Sequence, residues 1–98
     1  MSRKGIEKSR EALRLLDDYL WKRNTIAQVE SLYKEGKHDE AYRVADDLRQ
    51  KSPDYGLAYY MLGTIEMQKE SYGTIEVRTK HFVKGEELIN KAVQLGLP

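Results

Sequence analysis

The chain reads as all-α, built from stacked antiparallel helical hairpins. Three observations carry this. Apolar residues recur at helical spacing along almost the whole length. The segment Leu32-Tyr33-Lys34-Glu35-Gly36-Lys37-His38-Asp39-Glu40-Ala41 reads as a helix end, a glycine stop, a tight turn and an acidic helix start. Pro53 then closes the next helix twelve residues after Ala41.

About five helices are expected. The first spans roughly residues 2–22, with Ile6, Leu13, Leu16 and Leu20 in one stripe and Ala12, Leu15 and Tyr19 widening it. Asp18 and Lys22 stand in the favourable i,i+4 order. Asn24 and Thr25 are expected to break this helix, with Thr25 and Gln28 opening a second by a capping box. Ile26, Val29, Leu32 and Tyr33 give the second helix its apolar face, and Gly36 supplies the positive φ beyond its end. The third begins near His38 and turns Ala41, Val44, Ala45 and Leu48 inward. Ser52 and Pro53 suit the cap and first position of a fourth, which carries Leu57, Tyr59, Tyr60, Leu62, Gly63, Ile65 and Met67. The fifth starts between Thr74 and His81, carries Phe82, Gly85, Leu88, Ile89, Ala92 and Val93, and stops at Gly96. Residues 75–80 alternate apolar and polar, which also suits an extended strand, but no second strand is available to pair with it.

Ninety-eight residues make one domain with a thin core. The expected division is a capping helix over 1–23, a first hairpin over 24–53, and a second over 54–98 with an insertion near 71–80. A mid-helix glycine costs ~1 kcal/mol relative to alanine, so Gly63 and Gly85 suggest two helix backbones in close approach.

Seventeen basic against sixteen acidic residues give a net charge of +1, which argues against a strongly basic nucleic-acid binder. The charge is uneven, since residues 1–23 hold seven basic and four acidic side chains. The absence of cysteine excludes disulfides, thiolate metal sites and cysteine nucleophiles, and fits a cytoplasmic location. No apolar run approaches the ~20 residues that span a bilayer. The basic start Met1-Ser2-Arg3-Lys4-Gly5 is followed by no apolar segment, so no secretory signal is expected.

No chemistry stands out. His38 and His81 show no metal-binding spacing, and the glycines form no phosphate-cradling pattern. Asp17-Asp18, Asp46-Asp47 and Glu86-Glu87 are sequence neighbours, which do not share a helix face. The chain is therefore expected not to be an enzyme, with no catalytic residue, no metal and no cofactor.

Residues 22–98 resemble tetratricopeptide repeats, whose unit is a 34-residue helix–turn–helix. The pattern is carried by Leu32-Tyr33, Gly36, Asp39-Glu40-Ala41 and Pro53 in a first repeat. In a second it is carried by Tyr59-Tyr60-Met61-Leu62-Gly63, Gly85, Ala92 and Leu97-Pro98. Departures are Val29 where the family prefers glycine or alanine, Gln28 where leucine is usual, and Glu66 where an aromatic or leucine is usual. The resemblance implies a short right-handed α-solenoid with a groove that takes a protein segment. Its wall would be Ile26, Glu30, Tyr33 and Lys34 from the first hairpin and Tyr60, Thr64, Met67 and Gln68 from the second. Ile26 and Glu30 stand where some members carry a lysine and asparagine carboxylate clamp, so an apolar or aromatic-anchored partner fits better.

The expected function is a protein-interaction module, an adaptor, chaperone or scaffold, whose partner is a protein or peptide. The alternative is a structural subunit or homo-oligomer held through exposed stack ends and the N-terminal helix. Nucleic-acid contact through Arg10, Arg14, Trp21, Lys22 and Arg23 is the weaker third reading. No membrane association is expected.

Overall fold

The computed structural model describes residues 3–69 and 74–96, with side chains over residues 8–68 and 74–96. Among these the chain is helical throughout, with four helices and no strand. They are α1 (Arg3–Lys34), α2 (His38–Lys51), α3 (Gly56–Lys69) and α4 (Ile75–Leu95).

Four helices stand where five were expected because α1 does not break at Asn24-Thr25. The Thr25 hydroxyl donates to the Trp21 carbonyl at 2.8 Å. It is satisfied inside the helix, one turn back, and so does not serve as a cap. Residues 3–23 are thus the first two-thirds of one helix and not a separate capping element. Asp18 and Lys22 form the expected ion pair at 2.8 Å.

Gly36 ends α1 as its position demands. Its φ is +80°, the Gly36 N–H donates to the Tyr33 carbonyl at 3.1 Å, and the Lys37 N–H donates to the Leu32 carbonyl at 2.9 Å. This is the Schellman bonding pattern, which returns the chain antiparallel to α1. Asp39 and Glu40 fill the first turn of α2. Ser52 is the C-cap of α2 and not the N-cap of the next helix. Ser52 to Tyr55 form a hydrogen-bonded turn, Tyr55 N–H to Ser52 O at 3.0 Å, with Pro53 at its second position. Helix α3 therefore starts three residues later than Pro53 suggested.

The Thr74 hydroxyl accepts from the Val77 N–H, so α4 begins at the early end of its expected range. Residues 75–80 are helical, which resolves their ambiguity. Residues 70–73, which include the start of the expected insertion, lie outside the described residues.

The core joins both hairpins. Val29 of α1, Ala41 and Ala45 of α2, and Leu62 and Ile65 of α3 form one buried cluster. Ile26, Leu48 and Ala58 form a second beside it. Helices α3 and α4 run antiparallel at very close range. A Cβ on Gly63 would lie 2.8 Å from the Gly85 carbonyl oxygen, and one on Gly85 would lie 3.0 Å from the Gly63 oxygen. At the other end Gly56 abuts the Ala92 carbonyl. Only small residues permit this approach, and the two mid-helix glycines are thereby explained.

The molecule is elongated, 65 Å along its longest axis. The N-terminal half of α1 overhangs the packed helices, and every described residue from Lys8 to Trp21 is exposed.

Candidate functional site

A cavity of about 300 Å³ lies between α1 and α3, lined by Glu30, Tyr33, Lys34, Met61, Thr64 and Ile65. Its two walls come from different hairpins. Helix α2 bridges them through Ala41 and Ala45, so the wall spacing is set by the core beneath. Ile65 is almost fully buried and Met61 partly so, which makes an apolar floor. Glu30 and Lys34 are exposed at the rim, one turn apart, and present both signs of charge.

Four expected wall residues meet in this cavity: Glu30, Tyr33, Lys34 and Thr64. The other four do not line it. Ile26 is 6% exposed and packs with Leu48 and Ala58, because its position on α1 faces the core. The Met67 side chain turns to α4, its Cγ occupying the space a Cβ on Gly85 would need. Tyr60 is 41% exposed, one turn before Thr64. Gln68 follows Thr64 by one turn and is partly buried. Its Oε1 is shielded from solvent without a hydrogen-bond partner, as is Nδ1 of His38.

Tyr33 is held from two sides. It packs on the Val29 cluster and meets the His38 ring edge-on at a centroid distance of 4.9 Å. Its aromatic surface is therefore rigid as well as partly accessible, a combination that suits an anchor point for a ligand. The Thr64 hydroxyl donates to the Tyr60 carbonyl at 2.9 Å, which fixes its rotamer on the wall.

Sequence reasoning missed Met61 and Ile65 as the floor, and it missed a buried charge. Glu66 is 3% exposed. His81 donates from Nδ1 to its Oε2 at 2.9 Å, and Lys84 approaches its Oε1 at 3.4 Å. The departure of Glu66 from the repeat pattern was the available signal, since the pattern places an apolar residue there. His81 is therefore a partly buried partner of Glu66 and not a free surface residue. Burial disfavours the charge of Lys84, but hydrogen bonding to Tyr42 and the nearby Glu66 leave it above the ordinary lysine value.

The arrangement offers a shaped apolar floor with a mixed polar rim. Among the described residues no group of three His, Asp or Glu is placed to hold a metal, and no helix is long and apolar enough to cross a membrane. Comparison with protein-family models, curated proteins and solved structures finds no match.

Proposed function

We propose that the chain is a non-catalytic protein-interaction module whose two hairpins stack in a tetratricopeptide-like manner and hold a partner segment between α1 and α3. The carrying observation is the cavity walled by Tyr33 and Thr64 and floored by Met61 and Ile65. The ligand is an extended or helical peptide with one or two apolar anchors. The floor takes the anchor, and Glu30 and Lys34 meet polar groups at the rim. The stacking is supported by the Gly36 turn, by the α1–α2–α3 core and by the Gly63/Gly85 crossing.

Selection from a phage-displayed library of random peptides tests this reading. Enriched peptides should carry aromatic or large aliphatic anchors. Thr64→Arg, which fills the cavity mouth, should abolish their binding while leaving helicity unchanged. Enriched peptides that bind Thr64→Arg as well as the parent would exclude this groove.

A further inference from the structure

We infer that two copies of this chain associate through the overhanging half of α1, as an antiparallel helix pair about a two-fold axis between Arg14 and Leu15. Leu13, Leu16 and Leu20 are 60, 50 and 46% exposed. They do not extend the domain's own core. At about 100° per residue, they point roughly 140° round α1 from the line of Ile26, Val29 and Tyr33, which faces α2 and α3. That side of α1 stays open further along the helix, where Asn24, Ala27 and Ser31 are all exposed. No described element of this chain can therefore cover the stripe without leaving the packed core, whereas a second helix can lie along it.

The flanking charges select the second copy and its register. In a heptad frame Leu13 and Leu20 take a positions, and Ser9 and Leu16 take d positions. An antiparallel pair layering Leu13 on the partner's Leu16, and Leu20 on the partner's Ser9, is symmetric. It sets Arg10 beside the partner's Asp17 and Asp17 beside the partner's Arg10. On the other edge Ala12 meets the partner's Tyr19, a small residue against a large one. Sliding the pair one heptad either way sets Asp17 against the partner's Asp17 or Arg10 against the partner's Arg10. A parallel pair brings no opposite charges together along these edges. Only the antiparallel register centred between Arg14 and Leu15 satisfies both the leucines and the charges. Overlap would cover about residues 8–21 of each copy and leave the groove at Glu30, Tyr33 and Lys34 open, so this proposal and the groove reading stand or fall separately.

Sedimentation equilibrium of the full chain with charge-swapped variants tests it. The parent should weigh twice the 11.4 kDa of one chain. Arg10→Asp and Asp17→Arg should each weaken the dimer about tenfold, as expected for two exposed pairs turned repulsive. The double variant should recover the parent affinity, because the swap restores both pairs. In this cysteine-free chain, Ser9→Cys combined with Leu20→Cys should give an oxidised covalent dimer, and Ser9→Cys alone should not. A monomer at concentrations up to about 100 μM overturns the proposal, including one that binds vesicles of anionic lipid through the same leucines. A dimer indifferent to the charge swaps, or cross-linked by Ser9→Cys alone, overturns the antiparallel register.

Discussion

Replacing Gly63 by alanine isolates the contact that holds α3 on α4. The new methyl would stand 2.6 Å from Cγ1 of Ile89, 2.8 Å from the carbonyl oxygen of Gly85 and 3.2 Å from the Ile89 nitrogen. Ordinary contact begins near 3.4 Å. Ile89 is β-branched and stiff, and the oxygen and nitrogen are backbone. The helices must therefore part by about half an ångström over a close-packed crossing. Overpacking of this kind costs ~1–3 kcal/mol. Alanine gains ~1 kcal/mol of helix propensity over glycine. The net expectation is a loss of about 1 kcal/mol, and for a domain of this size a fall in Tm of about 4–8 °C. Gly85→Ala should cost less, because its closest neighbour is the flexible Cγ of Met67 at 2.6 Å and the backbone atoms stand at 3.0 Å or more. Thermal and urea unfolding of both variants measure the order. A Gly63→Ala protein whose Tm rises, as it would for a helix glycine with open space beside it, would refute the close crossing.

Four further outcomes are expected. Glu66→Ala should lower stability by ~1–3 kcal/mol in urea titration, since it opens a void and strips His81 and Lys84 of their buried partner. Leu16→Asp should abolish the dimer in sedimentation and, at concentrations dilute enough for the parent to be monomeric, leave the melting transition within about 0.5 kcal/mol of the parent, because Leu16 is exposed on the overhang. Burial pushes the Tyr55 phenol up, against the pull of Arg23 and Lys22. The folded chain thus favours the neutral form; this stabilisation is complete below the ordinary tyrosine value near 10 and is lost as pH rises through the folded value. Tyr55→Phe should accordingly flatten the alkaline limb of a stability–pH profile. Tyr60→Ala should leave Tm nearly unchanged, given the exposure of Tyr60, and should weaken a groove-bound peptide less than Tyr33→Ala does.

The turns were the most legible part of the sequence. Gly36 and Gly96 stand at φ of +80° and +85°, where glycine is the residue that fits, so their placement needed no knowledge of tertiary contacts. Ala41, Ala45 and Leu48 were legible by periodicity, because α2 has one buried face. No break forms at Asn24-Thr25, because a threonine hydroxyl serves equally as a cap or as an internal bond to the preceding turn. Packing of Ile26 and Val29 against α2 and α3 decides between them, and that is a tertiary fact. Pro53 suits the first position of a helix but shapes the turn before it, again a choice between two local roles. Of the eight expected wall residues, four line the cavity between α1 and α3. Glu30, Tyr33, Lys34 and Thr64 share it, but Ile26 and Met67 went to the core and the α4 crossing. Their assignment depended on the rotation of α1 and α3 about their own axes, which a repeat pattern alone does not fix to one side chain. Leucine periodicity on α1 was visible from the start, whereas its orientation away from the core required the structure.

The most direct test of the proposed function is amide chemical-shift mapping of a selected peptide onto the isotopically labelled chain. The account predicts that the perturbed amides cluster at Tyr33, Lys34, Met61, Thr64 and Ile65, with Lys8 to Leu20 unmoved. Perturbations confined to the exposed leucine stripe of α1, or spread over the outer face of α4, would contradict a groove between the two hairpins.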